Sequence, residues 1–513
     1  MEERTMKKFI SCVLAVSMMG SLVACSGSES KNFTVSYDNI ATGNVSSGVS
    51  VHDPSILEVD GTYYIYGSHM SAAKSTDLLN WESIADGYMK TNPVYGQIYD
   101  VADDAFNYAG SKDSIIKTDD GGTHVWAPDV IYNKTTKLYY MYYCCSSTFN
   151  ASNLCFGTST SPEGPFEWQG SLIYSGFTSK NVESTDVLDY VDADYVKKHY
   201  IKGGAYNYED YPNAIDPTVF YDKDDRMWMV YGSWSGGIYL LELDPTTGLV
   251  IHPKADEANN VDAYFGKKLL GGGHISIEGP YIMYDEATDY YYLFVSYGGL
   301  TSNGGYQIRV FRSKTVDGEY VDMNGSYPTK SAMHQNFGLK LSGNYKLPSL
   351  DKAYMATGHN SAFIDDDGKM YVVYHTRFND GTENHSPRVH QMLMNEEGWP
   401  CDLPYQTQGE TVSDSGYSKD DVIGRYYFIN QGTDISNEIA NPRIIYLNAD
   451  GSVEGEEVSG TWTMKDNTYY MRISLSDKDY SGVFCKMKDE AGTDVFTFSA
   501  VGSNESVWGV KYE

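Results

Sequence analysis

Three acidic residues stand at the start of apolar, strand-like segments, where packing alone gives no reason for a charge. Asp53 and Asp216 each come directly before a proline, and Glu278 comes one residue earlier in its segment, before Gly279-Pro280. A single Asp-Pro is ordinary turn chemistry, because Asp can cap its own backbone there. Three carboxyl groups in one register indicate catalysis instead, since a protonated and an ionised carboxyl together form the acid and base of hydrolysis.

Each acidic residue belongs to a β-hairpin that occurs five times in the chain. Every copy opens on a Pro or Ser and continues, after a polar turn, into an aromatic-rich return strand. The five openings are His52-Asp53-Pro54-Ser55, Trp126-Ala127-Pro128-Asp129, Ile215-Asp216-Pro217-Thr218, Glu278-Gly279-Pro280-Tyr281 and His359-Asn360-Ser361-Ala362. Each unit is long enough for a four-stranded sheet, so the repeat predicts an all-β fold with a five-bladed β-propeller over residues 33–405.

A propeller would bring the three carboxyl groups together. The first strand of every blade lines the central axis, and equivalent ends of those strands meet at one mouth. Asp53, Asp216 and Glu278 should therefore converge, beside Trp126 and two histidines. Carboxyl groups on different blades can lie about 6.5–9.5 Å apart, as hydrolysis with inversion requires, and a third carboxylate raises the pKa of the acid. Asp129 follows its proline, so we expect it to face elsewhere and act as a structural hydrogen-bond acceptor.

Both ends of the chain lie outside the repeats. Residues 1–30 are expected to be a signal peptide and tether, with a bacterial lipobox that ends at Cys25, the residue that would carry the lipid; a signal cleaved without lipidation is the alternative. Residues 406–513 contain short strands alone and predict a separate antiparallel β-domain, barrel or sandwich. Packing or shielding is its expected role, since only Trp462 and Trp508 offer an aromatic platform.

The composition favours an exported enzyme that acts on a neutral polymer. The net charge of −31 argues against nucleic acid and anionic lipid as partners. Tyrosine is abundant, with 46 residues, and aromatic rings beside acidic and amide groups suit sugars, although many tyrosines will simply pack between strands. A long insertion from Tyr174 to Asn213 leads into the predicted mouth and is expected to wall one side of a cleft. The cysteines show no metal spacing, and a Cys145–Cys155 bridge stays open.

As a set and in this order, five motifs resemble glycoside hydrolase family 43, and within it the endo-α-1,5-L-arabinanases. They are His52-Asp53-Pro54-Ser55, Trp126-Ala127-Pro128-Asp129, Asn213-Ala214-Ile215-Asp216-Pro217, Ile277-Glu278-Gly279-Pro280 and Gly358-His359-Asn360-Ser361. The part after residue 405 is similar to the small β-domain of longer bacterial arabinanases. The resemblance implies an inverting enzyme that cleaves internal bonds of plant cell-wall arabinan, acts as a monomer and is held at the bacterial surface only through Cys25.

The resemblance also implies roles for individual residues. Asp53 would be the general base, Glu278 the general acid, and Asp216 the residue that orients the substrate and tunes the acid. His359 would lie near a calcium ion on the axis. The positions that would line the sugar sites are Trp126, Phe149, Asn150, Asn213, Ala214, Ile215, Ser233, Trp234 and Ser235.

Two alternative functions remain open from the sequence alone. An exo-acting arabinofuranosidase or β-xylosidase of the same family would have a closed pocket in place of an open groove. A surface lipoprotein that only captures glycans would lack catalysis, but the presence of all three carboxyl groups argues against it.

Overall fold

The computed structural model describes residues 31–43, 46–101, 108–109, 125–146, 151–329, 336–413 and 415–512. Residues 1–30 with Cys25, and the predicted sugar-site residues Phe149 and Asn150, lie outside these ranges. Helical segments in the described chain are all short: Gly96–Val101, Val182–Ser184, Val187–Tyr190, Ala193–Tyr195, Val196–Tyr200, Glu257–Asn259 and Lys419–Val422. None of these helices combines the length and the apolar character needed to cross a membrane.

The first two sheets are four-stranded antiparallel meanders in which each strand pairs with the next one along the chain. They consist of β1 (His52–Val59), β2 (Thr62–Ser68), β3 (Ser71–Ser75) and β4 (Glu82–Ala85), and of β5 (Val125–Tyr132), β6 (Tyr139–Ser146), β7 (Ser152–Ser159) and β8 (Glu167–Ser175). Each first strand carries one of the predicted openings, so the sequence pattern identified the hairpins correctly.

The third sheet is larger than the predicted four strands. A two-stranded ribbon, β9 (Ile201–Lys202) and β10 (Ala205–Tyr206), precedes it in the insertion. The sheet itself contains β11 (Thr218–Tyr221), β12 (Met227–Tyr231), β13 (Ile238–Leu243), β14 (Val250–Ile251), β15 (Val261–Asp262) and β16 (Gly266–Leu270). The two additional short strands, β14 and β15, pair with β13 and β16 at its outer side.

The fourth and fifth sheets return to the simple four-stranded meander. They consist of β17 (Ile277–Asp285), β18 (Tyr290–Tyr297), β19 (Gln307–Ser313) and β20 (Leu339–Ser342), and of β21 (Tyr354–Ile364), β22 (Met370–Phe378), β23 (His385–Met394) and β24 (Pro400–Asp402). The return strands β18 and β22 are buried almost throughout, since their tyrosine, valine and phenylalanine side chains pack between neighbouring sheets on both faces.

The five sheets form a closed ring, which confirms the predicted five-bladed propeller. Their first strands contact one another in the order β1, β5, β11, β17, β21 and back to β1. Hydrogen bonds join the blades near the axis: Thr218 Oγ1 donates to the carbonyl of Pro280 at 2.8 Å, and Ser361 Oγ donates to the carbonyl of Pro54 at 2.8 Å. These hydrogen bonds hold the amino-terminal ends of the first strands together at one mouth.

Asp129 is one of these links and has the structural role expected from its position after the proline. It is buried, and it accepts hydrogen bonds from Ser55 Oγ and from the backbone N–H of Val219. One carboxyl group therefore joins the first, second and third blades. Burial raises the pKa of Asp129 to about 7.

The insertion folds against the third blade. Tyr200 donates a hydrogen bond to Asp262 Oδ1 at 2.7 Å, and Tyr239 donates one to the carbonyl of Asp210 at 2.7 Å. Its valines and aromatic rings join the core cluster shared by the second and third blades. The insertion is thus a packed extension of the blade that ends at Asn213, next to the mouth.

The last strands close into an eight-stranded barrel, which resolves the choice between barrel and sandwich. They are β25 (Gly424–Asn430), β26 (Arg443–Leu447), β27 (Ser452–Gly455), β28 (Ser459–Met464), β29 (Tyr470–Leu475), β30 (Lys478–Lys488), β31 (Asp494–Gly502) and β32 (Glu505–Lys511). Trp462 and Trp508 are both buried, so neither ring is available as a platform for sugar.

The barrel packs directly on the fourth and fifth blades. Trp508 meets Tyr345 edge to face, with ring centroids 4.9 Å apart. Asn504 Nδ2 donates to Asp322 Oδ2 at 2.7 Å, and Ser506 Oγ donates to the carbonyl of Lys340 at 2.7 Å. These contacts belong to one continuous core cluster, which is consistent with the packing role expected for this part of the chain.

The cysteines of the described chain are unpaired thiols. Cys144, Cys145, Cys155, Cys401 and Cys485 are all buried, and no bridge joins Cys145 to Cys155. The disulfide left open by the sequence is therefore not formed.

Candidate active site

The blade openings share an uncommon backbone conformation. The residue before the proline has a positive φ in four blades, +54° at Asp53, +42° at Ala127, +56° at Asp216 and +57° at Gly279, and the fifth blade has +44° at His359. Residues other than glycine rarely adopt this left-handed region, which costs about 1–2 kcal/mol at Asp53, Ala127, Asp216 and His359, whereas Gly279 adopts it without strain. A bulge in strand pairing accompanies it in the first, second, fourth and fifth blades. Such bulges re-aim side chains, here toward the mouth.

Asp53 lies among histidines. Its Oδ1 is 3.1 Å from Nδ1 of His359, its Oδ2 is 2.8 Å from Nδ1 of His52, and its Oδ2 accepts a hydrogen bond from Ser68 Oγ. Burial by itself would raise the pKa of Asp53, but the electrostatic interactions with His359 and His52 outweigh it and hold that pKa well below its ordinary value of 3.8. Asp53 is therefore an ionised carboxylate at neutral pH.

A second histidine layer lies behind Asp53. His52 and His375 stack with ring centroids 4.1 Å apart, and the backbone N–H of Asp53 donates to Nδ1 of His375 at 3.3 Å. Burial and the neighbouring His52 hold the pKa of His375 well below 6.5. Neutral His375 can accept that hydrogen bond, so it fixes the strained backbone of Asp53.

Glu278 receives two hydrogen bonds from hydroxyl groups. Ser233 Oγ donates to Oε2 at 3.0 Å, and the Tyr306 hydroxyl donates to Oε1 at 2.8 Å. Burial raises the pKa of Glu278, the interaction with His359 and the two hydroxyl groups lower it, and the net shift is upward. Glu278 can therefore hold a proton at a pH where Asp53 has lost its own.

Asp216 connects these two groups electrostatically. Its Oδ2 accepts a hydrogen bond from the backbone N–H of Gly279 at 3.2 Å, so it lies against the residue that follows Glu278. Burial, Glu278 and Asp53, in that order, raise the pKa of Asp216 well above 3.8. Like charges this close cannot all ionise, and the Asp216–Glu278 pair keeps a proton as a result. One ionised carboxylate faces a proton-holding pair across one mouth, which is the requirement for acid and base catalysis.

The residues predicted to line the sugar sites divide into two groups. Trp126 and Trp234 are partly exposed at the mouth, and Trp234 lies against His274 with ring centroids 5.5 Å apart. The side chains of the others in the described chain are buried: Asn213, Ala214, Ile215, Ser233 and Ser235. Ser233 contacts Glu278, and the backbone N–H of Ala214 donates to Ser175 Oγ at 2.9 Å. The buried group shapes the floor of the site, and the two tryptophans offer ring faces.

The insertion borders this mouth, as expected. Tyr208 lies against His274 with ring centroids 5.2 Å apart, and the carbonyl of Tyr211 accepts the N–H of Gly236, two residues after Trp234. These contacts place the end of the insertion beside the tryptophan.

Three functional contacts have no clear signal in the sequence. Tyr306, His375 and Ser68 touch Glu278 or Asp53, yet each lies within or beside an ordinary strand. The glycines that surround Tyr306, Gly304-Gly305 before it and Gly298-Gly299 across the loop, are the one hint that this loop approaches other backbone closely.

The family resemblance predicts calcium beside His359. Calcium takes six to eight oxygen ligands. Around His359 the structure places the Asp53 carboxylate at 3.1 Å, the Ser296 hydroxyl, which accepts its backbone N–H, and Glu278, which interacts with it electrostatically. Among the described residues, the one potential metal-ligand group of three is His52, Asp53 and His375, whose ligand atoms lie within 4.8 Å of one another. An imidazole is not an oxygen ligand, so calcium at His359 would take most of its ligands from water, and it stays a prediction of the family resemblance.

Comparison with known proteins agrees with this geometry. The profile of glycosyl hydrolases family 43 matches residues 172–400, and that of a C-terminal lipocalin-like domain matches residues 404–509. The chain is 36% identical to extracellular endo-alpha-(1->5)-L-arabinanase 2 of Bacillus subtilis, over 93% of this chain and 96% of that protein.

A second relative is similar in sequence and in structure. The extracellular endo-alpha-(1->5)-L-arabinanase of Thermotoga petrophila is 38% identical over 90% of this chain and 94% of its own length. The crystal structure of endo-1,5-alpha-L-arabinanase from Thermotoga petrophila superposes with a TM-score of 0.79, over 92% of this chain and 100% of that one.

Proposed function

The chain belongs to glycoside hydrolase family 43, and we propose on that premise that it is an endo-acting, inverting enzyme that hydrolyses internal α-1,5-L-arabinofuranosidic bonds of arabinan. One observation carries the proposal: three carboxyl groups from three blades, buried at Asp53 and Asp216 and partly exposed at Glu278, meet at one mouth, and the pKa of Asp53 is lowered while those of Asp216 and Glu278 are raised. The relatives that match along nearly the whole chain are endo-arabinanases by name, which favours this function over the exo-acting and non-catalytic alternatives.

The roles follow from the protonation states. Glu278, with its raised pKa, donates its proton to the glycosidic oxygen as that bond breaks. Asp53, ionised, takes a proton from a water that attacks the anomeric carbon from the opposite face, so the configuration inverts. Asp216, whose own pKa is raised by burial and by Glu278, lies beside Gly279, where it can orient the sugar. After one turnover Asp53 holds a proton and Glu278 has lost one, and exchange with water restores both.

The surroundings of the mouth suit a neutral sugar chain. Trp126 and Trp234 supply ring faces for the C–H surfaces of arabinofuranose, and the packed insertion forms a fixed wall beside Trp234. The net charge of −31 repels anionic polymers and leaves neutral ones unaffected. Arabinan carries no charge, so it meets this surface without an electrostatic penalty.

Export is the expected location of such an enzyme, because its substrate is a polymer outside the cell. The two long relatives are extracellular by name, and the lipobox ending at Cys25 supports attachment of this chain to the bacterial surface. Replacement of Cys25 by Ser should move the protein from the membrane fraction to the soluble fraction. Retention of the Cys25→Ser protein in the membrane fraction would contradict the lipid anchor.

The products formed from linear α-1,5-arabinan over time test the endo function. We expect a spread of oligosaccharides from the first minutes, with a rapid fall in viscosity. Arabinose as the sole early product would assign the chain to the exo-acting class, and no cleavage at all would favour a binding protein.

A further inference from the structure

The carboxylate of Glu383 joins two loops of neighbouring blades. Glu383 lies in the turn of residues 379–384, which connects β22 to β23 in the fifth blade, and Ser302 lies in the loop of residues 298–306, which connects β18 to β19 in the fourth. The Ser302 hydroxyl donates to Oε1 of Glu383 at 2.7 Å, and the Ser302 backbone N–H donates to Oε2 at 3.0 Å. Hydrogen bonds to an ionised carboxylate are stronger than those between neutral groups, so this contact ties the two loops together.

The same carboxylate is the counter-charge of a buried arginine. Nε of Arg377, on β22, lies 2.7 Å from Oε2 of Glu383. The side chain of Arg377 is 6% exposed, whereas that of Glu383 is 53% exposed. A buried charge that loses its partner is far more costly than a broken surface ion pair. Within the described ranges no other carboxylate forms an ion pair with this guanidinium, so Glu383 fixes where Arg377 points.

The loop that Ser302 anchors leads to the proposed general acid. The hydroxyl of Tyr306, at the end of this loop, donates to Oε1 of Glu278 at 2.8 Å. Glycine pairs flank the tip of the loop, Gly298-Gly299 before it and Gly304-Gly305 after it, with φ angles of +89° at residue 298 and +70° at residue 305. Glycine gives a chain more conformational freedom than other residues. A contact at the tip therefore restricts a loop whose own sequence favours no single shape.

Arg377 leads to the proposed base. Its Nη2 lies 3.5 Å from Nε2 of His52, and Nδ1 of His52 lies 2.8 Å from Oδ2 of Asp53. A guanidinium can only donate hydrogen bonds, so this contact favours the histidine tautomer that carries its hydrogen on Nδ1. That hydrogen faces Asp53 and holds its carboxylate in one orientation.

We propose that Glu383 is a positioning residue that holds the two reacting carboxyl groups in register. It acts on Glu278 through the 298–306 loop and on Asp53 through Arg377. The proposal rests on the roles proposed above for these two carboxyl groups. Because Glu383 acts through other side chains and not on the sugar, its loss should lower kcat and leave KM nearly unchanged.

Steady-state kinetics of Glu383→Ala on linear arabinan test this role. We expect kcat to fall about tenfold with KM within about twofold, since small displacements of reacting groups are costly. Glu383→Gln keeps an acceptor for Ser302 and should lose less. Glu163, which is also partly exposed and pairs with Lys74 at 2.9 Å, gives the matched control, and Glu163→Ala should retain kcat. An unchanged kcat in Glu383→Ala, or a loss expressed in KM alone, would overturn the proposal.

Ser302→Ala isolates the side of the general acid. It removes one hydroxyl contact and leaves Arg377 paired, so the fold should be kept, and kcat on arabinan should fall about threefold. Added to Tyr306→Phe it should cause no further fall, because the loop acts through the hydroxyl of Tyr306. It should also have no effect on a dinitrophenyl α-arabinobioside, whose leaving group needs no proton. Equal losses in both backgrounds and on both substrates would reveal a general structural effect and contradict the proposal.

The wild type separates this proposal from the function on which it depends. If the wild type cleaves arabinan and Glu383→Ala keeps the same kcat, the positioning role is wrong and the endo-arabinanase function stands. Failure of the wild type to cleave arabinan would instead overturn that function, and the role of Glu383 with it.

Discussion

Nδ1 of His359, on the fifth blade, lies 3.1 Å from Oδ1 of Asp53, on the neighbouring first blade. Both residues have positive φ angles, so two strained openings are aimed at each other. The interaction is the largest influence that lowers the pKa of Asp53. The ionised state of the proposed base therefore depends on a side chain from a different blade.

Replacement of His359 by Asn should raise the pKa of Asp53. Asn tolerates the left-handed conformation, so the backbone should be kept. Asp53 must be ionised to act as the base, so its pKa sets the acidic limb of the kcat/KM profile. In the wild type this limb should lie below pH 3.8. In His359→Asn it should move to higher pH. His274→Asn makes the same change at another residue with positive φ and should leave the limb in place. An unshifted limb in His359→Asn would contradict the account of Asp53.

Replacement of Tyr306 by Phe should raise the pKa of Glu278. The hydroxyl of Tyr306 stabilises the charged form of Glu278, so its loss favours the protonated acid. The basic limb of the kcat/KM profile reports loss of that proton and should move upward, while activity on arabinan persists. The hydroxyl of Tyr320 donates a hydrogen bond to the carbonyl of Val316, so Tyr320→Phe is the matched control. A downward shift in Tyr306→Phe would be inconsistent with this contact.

Asp216→Asn should give a more stable but much less active protein. The folded-state pKa of Asp216 is raised, so the folded chain binds its proton more tightly than the unfolded chain. Stability from this group therefore falls as the pH rises from about 3.8 through the folded pKa. Asn removes the repulsion, and we expect unfolding at pH 7 to shift upward by about 2 °C, with a smaller gain at pH 4. Equal shifts at both pH values would argue against a raised pKa.

Gly279→Ala should disturb the site through one methyl group. A Cβ at Gly279 would stand 3.1 Å from the ring of His359, in a backbone with φ +57°. The strain costs about 1–2 kcal/mol, and displacement of His359 should lower kcat by about tenfold or more. Gly325 has φ +75° and open space where the new Cβ would lie. Gly325→Ala therefore introduces the backbone strain without a new contact and should retain kcat. Comparable kcat losses in both variants would show that His359 is not involved.

Much of the fold and part of the site could be predicted because the hairpin repeat is a local pattern. Asp53, Asp216 and Glu278 occupy equivalent places in three repeats, and propeller geometry brings equivalent places together. The repeat does not identify every side chain that shifts the pKa values of these carboxyl groups. Tyr306 reaches Glu278 from the neighbouring loop before β19, and it is one of 46 tyrosines. Apart from the glycines beside it, nothing in its own neighbourhood of sequence distinguishes it from tyrosines that pack between blades.

Other features depend on distant pairing. Closure of the barrel requires β25 to pair with β32, almost at the end of the chain, and alternation within single strands is the same for a barrel and a sandwich. The contact between propeller and barrel likewise joins Tyr345 to Trp508 through the docking of two parts of the chain. Such contacts become visible only once the fold is assembled.

The separate roles of Glu278 and Asp53 are tested most directly by the dependence of hydrolysis on the leaving group. Arabinan needs a proton from the general acid, whereas a dinitrophenyl α-arabinobioside has a leaving group that departs without one. We predict that Glu278→Gln loses about 10²–10⁴ in kcat on arabinan and retains most activity on the activated substrate, while Asp53→Asn loses activity on both. Equal losses on both substrates for Glu278→Gln would contradict its assignment as the general acid.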